Sequence, residues 1–141
     1  MRAVRTLFLG LLPLVVLSCS AIGPVKVNAG DQCFRCRRSI VEPRVAAEMI
    51  QGSMVTKYRG PGCLAKYLMA HQDETGRLVV TDFVTGKFIA PEKAAYVQVL
   101  LDRNTGETDY RAFAKTTDAD AAAREANVTA VDWNTVLDKA R

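Results

Sequence analysis

Cys33 and Cys36 stand three apart in the stretch Asp31 Gln32 Cys33 Phe34 Arg35 Cys36 Arg37 Arg38, and a third thiol, Cys63, follows in Gly60 Pro61 Gly62 Cys63 Leu64. Two thiols at CxxC spacing can share a metal ion or close a small disulfide. The third changes the arithmetic. The chain has 4 cysteines, and the remaining one, Cys19, lies in an N-terminal leader. If Cys19 is consumed there, an odd number is left: either one thiol stays free or all three serve one ligand.

The setting of Cys63 supports a chemical role. Gly60 can cap a helix and Pro61 can take its first position, where the missing amide hydrogen is not needed. A thiolate in that first turn is expected to be stabilised by the positive end of the helix dipole, with its pKa lowered. Arg35, Arg37 and Arg38 are expected to act the same way on Cys33 and Cys36, and to offset the negative charge of a metal–thiolate centre. The bland alternatives are a Cys33–Cys36 disulfide with Cys63 buried as a small hydrophobe, and arginines that form a solvated face.

Other candidate ligands read differently. His71, the only histidine, falls at the end of the same helical pattern, where a packing or capping role is expected. Met49, Met54 and Met69 read as core fillers that could lend a thioether. Trp133 reads as the anchor of a terminal helix. There is no Ser, His, Asp constellation and no phosphate-cradling glycine loop, so the sequence points to a protein that is not an enzyme.

The leader carries Arg2 and Arg5, then an apolar run from Leu7 to Leu17, which reads as an export signal over residues 1–18. The run is shorter than the roughly 20 residues a spanning helix needs. Val16 Leu17 Ser18 Cys19 resembles a bacterial lipobox, which makes Cys19 the lipidated first residue of the mature chain and residues 19–30 a tether. The alternative is cleavage after Val27 Asn28 Ala29. Ser20 rather than Asp after the lipid-bearing position points to the outer membrane, at the periplasmic face of the cell envelope. Loss of the leader takes the formal charge from +4 to +2, a balance that implies no nucleic-acid partner.

The elements that must position the thiols read as an α+β mixture. Strands are expected at Val45 to Ile50 and Met54 to Tyr58 around a Gln51 Gly52 turn, a helix from Pro61 to His71, and a strand at Leu78 to Phe83. The order then recurs, with strands at Ala94 to Leu101 and Tyr110 to Ala114 joined through Asn104 Thr105 Gly106. A helix opened by Thr117 and Asp120 closes at Asn127, followed by a strand at Val128 to Val131 and a last helix capped by Asp132. The prediction is two small related ββαβ halves, residues 31–90 and 91–141.

This order of signals resembles the NosL family, the accessory lipoproteins of nitrous oxide reductase. The resemblance is carried by the leader, the CxxC, Gly62 Cys63, Asp82 Phe83 Val84 Thr85 Gly86 Lys87 Phe88 Ile89, Ala94 Ala95 Tyr96 Val97, Ala112 Phe113 Ala114 and Val131 Asp132 Trp133. It implies a periplasmic Cu(I) carrier with two related ββαβ halves, a membrane partner through the lipid anchor, and a copper-receiving enzyme or ABC-type maturation complex as client. The chain departs from the family where Arg37 and Arg38 replace a Gly and a Met beside the cysteine, and Glu107 to Arg111 lack a further methionine. Of the matched positions Cys36 corresponds to a family metal ligand, with Cys33 and Cys63 at its other recurring cysteines. A metal site of Cys33, Cys36 and Cys63 is therefore expected, with Cu(I) as the implied ion; an assembly lipoprotein stapled by Cys33–Cys36 is the alternative.

Overall fold

Pro43 and Pro91 each open a single 3₁₀ turn, Pro43–Val45 and Pro91–Lys93, whose chain leads straight into the first strand of a hairpin. The ring fixes φ near the helical value and removes an amide hydrogen that an opening turn cannot use. The same spacing, Pro-x-x-Ala-Ala, occurs at both places, and Ala46, Ala47 and Ala94 are buried. The computed structural model describes residues 22–141, so the expected lipidation at Cys19 lies outside the described residues.

The first hairpin pairs β1 (Ala47–Gln51) with β2 (Met54–Tyr58), and Gly52 supplies the positive φ of 58° that its turn requires. Helix α1 (Pro61–Ala70) follows, and β3 (Arg77–Thr81) returns antiparallel along the other side of β1. A short β4 (Phe88–Ile89) extends the sheet to the order β2-β1-β3-β4. The second sheet is the hairpin of β5 (Ala95–Asp102) and β6 (Glu107–Phe113). Helix α2 (Thr116–Ala126) covers its outer face, and α3 (Trp133–Asp138) packs on α1. The fold is thus α+β, as the sequence predicts.

The expected third strand of the second half, Val128 to Val131, is absent as a strand. Val131 instead exchanges two backbone hydrogen bonds with Tyr96, each 2.8 Å, as an isolated antiparallel bridge. Further boundaries differ, among them the second strand of the second hairpin, expected from Tyr110 and observed from Glu107. Pro43–Val45 is a turn because Glu42 accepts the Arg44 amide at 3.1 Å, which delays β1 to Ala47. β3 stops at Thr81 because Asp82 turns inward, accepting from Thr85 N at 3.0 Å and Ala114 N at 2.9 Å. No side chain caps α2, so the expected Thr117 and Asp120 arrangement does not form, whereas Asn127 closes it in the left-handed conformation as expected.

One hydrophobic core runs through both sheets. Ile40, Met49, Tyr58, Leu64 and Val80 from the first part meet Tyr96, Ala112 and Val136 from the second, and Trp133 anchors α3 against it. β5 alternates faces, so Tyr96 enters this core while Val97 joins Phe113, Ala119 and Ala123 under α2. A parallel bridge from Asp82 to Ala112, with Phe83 N donating to Ala112 O at 2.8 Å, stitches the end of β3 to β6.

The stretch expected to act as a tether is not free along its length. Val25 N donates to Glu48 Oε2 at 3.1 Å, Lys57 Nζ donates to Lys26 O at 3.0 Å, and Val27 is 7% exposed within the core. Among the described residues no helix is long and apolar enough to cross a membrane.

Candidate metal centre

Cys33 and Cys36 sit in a tight loop rather than at a helix start. A bridge between Gln32 and Ser39 closes its base, with Cys33 N donating to Arg38 O at 2.9 Å and Ile40 N to Asp31 O at 2.7 Å. Arg37 completes the turn at φ 62°, a strained choice for a residue with a Cβ. The loop is fastened to the sheet edge by Phe34, whose amide donates to Lys57 O at 2.7 Å. The Phe34 ring stands edge-on to Tyr58 and Tyr67, with centroids 6.2 and 5.5 Å away.

Cys63 reaches the loop from α1, where it is the third residue. Its sulfur lies 3.4 Å from that of Cys33, and the three sulfurs of Cys33, Cys36 and Cys63 all lie within 4.8 Å of one another. All three are free thiols, so the Cys33–Cys36 disulfide weighed from the sequence is not formed. Cys33 and Cys63 are buried and Cys36 is half-buried. Thiols 30 residues apart meet because β2 leads directly from the loop's anchor at Lys57 into α1.

The electrostatics of Cys63 differ from the sequence expectation. The amides at the start of α1 do not face its sulfur: Gly62 N donates to Asp109 Oδ1 at 2.7 Å and Cys63 N to Asp109 Oδ2 at 3.2 Å. Asp109 also accepts its own neighbour's amide, Tyr110 N, at 2.7 Å. A buried carboxylate therefore takes up the positive end of the helix. The Cys63 thiol is raised, first by its hydrogen bond to Cys33, then by burial and by the charges of the two other sulfurs and Asp109. Cys33 is lowered in turn, first by the Cys63 hydrogen bond and then, against burial, by the Cys36 and Arg59 amides. The two sulfurs titrate as a pair, Cys33 held down and Cys63 held up by the hydrogen bond between them.

The arginines also rearrange. Arg38 is drawn away to Glu107 at 2.6 Å, and Arg37 lies 5.3 Å over the Phe34 ring. The guanidinium that reaches the thiols is that of Arg59. It pairs with the same Glu107 at 2.8 Å. Burial works against its charge, and Glu107 more than offsets that with Cys36 adding to it, so its pKa is raised. Arg59, Glu107 and Asp109 are the parts of the site that sequence reasoning missed. One trace of them is legible: a Cβ at Gly60 would come within 2.5 Å of the Asp109 carboxyl, and one at Gly62 within 3.0 Å. The glycines flanking Pro61 are there because a carboxylate occupies the space.

His71 lies apart from this chemistry. It caps the end of α1, its ring stacked on Tyr67 at 4.1 Å and its Nδ1 2.9 Å from Tyr67 O. Met49 is core, and Met54 is exposed at the start of β2. The site thus offers a donor set of three sulfurs, two sealed and one at the surface. No family model, curated protein or solved structure matches the chain.

Proposed function

We propose that this protein is a lipid-anchored carrier of a soft metal ion at the periplasmic face of the cell envelope, with Cys33, Cys36 and Cys63 as the ligands. Cu(I) is the proposed cargo, delivered to a reductase or to the membrane machinery that matures it, in the manner of the NosL-like proteins the sequence resembles. The observation that carries this reading is the convergence of three thiols within 4.8 Å. Thiolates select Cu(I) and other soft ions. Structural zinc sites want four ligands in a tetrahedron, and among the described residues no His, Asp or Glu joins the three cysteines as a fourth. Metal–sulfur bonds of about 2.3 Å in a trigonal plane set the sulfurs about 4 Å apart, which this cluster reaches with small side-chain movements. Carriage rather than catalysis is proposed, because the nearby carboxylates are engaged, Asp109 by the Gly62 and Cys63 amides and Glu107 by Arg38 and Arg59, which leaves the sulfurs as a donor set.

Metal content of the full chain purified anaerobically, followed by competition against a colorimetric Cu(I) chelator, tests the reading. One tightly held Cu(I) per chain, with near-ultraviolet thiolate-to-metal absorption that is lost in Cys63→Ser, is expected. A fully reduced chain that takes up no stoichiometric soft metal would leave the assembly lipoprotein as the better account.

A further inference from the structure

The opening of the thiol site has a chemical character of its own. Cys33 is fully buried and Cys63 is 8% exposed, so an ion enters and leaves past Cys36. The loop that carries Cys36 presents Arg35, Arg37 and Arg38 to solvent, and Arg59 is held with Arg38 on Glu107. Arg35 makes no ion pair among the described residues. Arg37 lies over the Phe34 ring, 5.3 Å from its centroid, and makes no ion pair among the described residues. Glu107 answers only Arg38 and Arg59. Asp102 feels Arg38 as a minor influence beside the Asn104 amide that chiefly lowers it. Beside the loop lies a shallow groove of about 230 Å³, lined by Phe34, Arg37 and Val55, whose other cation, Lys57, is neutralised by Asp31 at 2.6 Å.

We propose that the loop Cys33–Arg38 is the docking surface for the protein that exchanges metal with this chain, and that this partner presents carboxylates around its own thiol or thioether. The proposal rests on the carrier reading above. Arg35 and Arg37, both exposed, flank the half-buried Cys36 in the chain, so a surface that meets them meets the loop that carries the most accessible of the three sulfurs. Thiolates release a soft ion readily only to another soft donor, and a lipid headgroup offers only oxygen, so the partner is a protein. Opposite charge steers the encounter before contact and is screened by salt. The exchange begins as one metal–sulfur bond forms on the partner and the bond to Cys36 breaks, and it is complete when further partner sulfurs have replaced Cys33 and Cys63. The ion keeps its oxidation state, each thiol that enters passes its proton to the cysteine it replaces, and a thioether that enters releases its cysteine as the thiolate.

The test uses the full chain loaded with Cu(I) and a synthetic peptide bearing a CxxC flanked by glutamates, against the same peptide with glutamines in their place. Transfer is followed by stopped flow under anaerobic conditions at low and high salt. The Glu peptide should accept copper at least about tenfold faster at low salt, and the advantage should vanish once the Debye length falls to about 3 Å. Arg35→Glu with Arg37→Glu should abolish the advantage, with Cu(I) affinity followed separately by chelator competition. Arg35→Glu alone, at a side chain without a partner, should reduce it and keeps the test decisive if the loop tolerates Arg37→Glu poorly. Equal rates for the two peptides, or a charge advantage that survives both variants, would overturn the proposal. So would charge-dependent binding to phosphatidylglycerol vesicles with no peptide preference, which would make the arginines a membrane contact. Anisotropy of the labelled peptide with metal-free protein separates the two levels: a chain that takes up no copper yet captures the Glu peptide through Arg35 and Arg37 overturns carriage and leaves the docking surface standing.

Discussion

Asp109 and Cys63 lie 46 residues apart in the chain, and a carboxylate oxygen of the first accepts the backbone amide of the second at 3.2 Å. Two residues before Asp109 on the same strand, Glu107 holds both Arg38 of the thiol loop and Arg59 at the end of β2. Alternate residues of a strand share a face, so β6 presents two carboxylates to the thiol site together. The second hairpin is thereby part of the three-thiol site, although it supplies none of its sulfurs.

Asp109→Asn should therefore loosen the site. A carboxamide has a single acceptor oxygen and cannot receive Gly62 N and Cys63 N at separate atoms. Burial raises the Asp109 carboxyl to about 6, against the Tyr110, Gly62 and Cys63 amides, so it is charged at neutral pH and its hydrogen bonds there are of the stronger, charge-assisted kind. A stability loss of about 1–3 kcal/mol is expected in denaturant unfolding, with Cu(I) affinity falling in parallel. A gain in stability would mean that the cost of burying the charge outweighs the three bonds.

Each of Cys33→Ser, Cys36→Ser and Cys63→Ser should weaken Cu(I) binding by more than the roughly 10–100-fold typical of losing a supporting contact. His71→Ala and Met54→Leu should leave it unchanged, since one residue caps α1 and the other is 51% exposed at the start of β2. Chelator competition on the five variants checks this, and a His71 effect as large as a cysteine effect would redraw the ligand set.

Mild oxidation should link Cys33 to Cys63 before it links Cys33 to Cys36, because the first pair of sulfurs is already 3.4 Å apart and includes Cys33, whose pKa the Cys63 hydrogen bond lowers. With hydrogen peroxide as oxidant, the thiolate attacks one oxygen to give a sulfenic acid and hydroxide. The Cys63 sulfur then displaces water to close the bond. Peptide mapping by mass spectrometry after brief exposure reads the pairing, and a dominant Cys33–Cys36 peptide would contradict it.

Glu48 sets a pH dependence. It is fully buried on β1, one oxygen accepts Val25 N, and the other has no partner. Burial raises its carboxyl from 4.5 to about 6, opposed by the Val25 amide. The folded state thus holds the proton more tightly than the unfolded chain. The stability this contributes is fully present below about 4.5 and is lost as the pH rises through about 6. Glu48→Gln keeps an acceptor for Val25 and removes the ionisation. It should exceed the wild type by up to about 2 kcal/mol at pH 7.5, with the gap closing toward pH 4.5. Urea midpoints across that range measure it, and a constant gap would exclude Glu48 as the cause.

Local chemistry made much of the fold legible. Gly60 Pro61 placed the start of α1, Gly52 and Gly106 placed the hairpin turns with φ of 58° and 69°, and Asp132 capped α3 by accepting Thr135 N at 2.8 Å. The errors came where a distant partner decides. Val128 to Val131 has strand-like residues but finds only Tyr96 to pair with, so one bridge forms. The three cysteines were legible as one group from their number, but the environment of Cys63 was not. Glu107, Thr108 and Asp109 read as a polar approach to a strand, and nothing local shows that β6 will lay Asp109 under α1. The Arg-rich loop drew attention to its own guanidinium groups, while the one that reaches Cys36 comes from Arg59, across the sheet edge.

The hydrogen bond from Phe34 N to Lys57 O has a second consequence. β2 is the outermost strand of the larger sheet, and its free side is the kind of surface along which chains stack edge to edge. The thiol loop lies against that side, so it shields the sheet's open border as well as carrying two of the sulfurs. A chain whose loop is pulled off the sheet, by loss of its cysteines or by bulky thiol modification, loses that shield as well as its ligands. Its failure would then be self-association rather than simple inactivity.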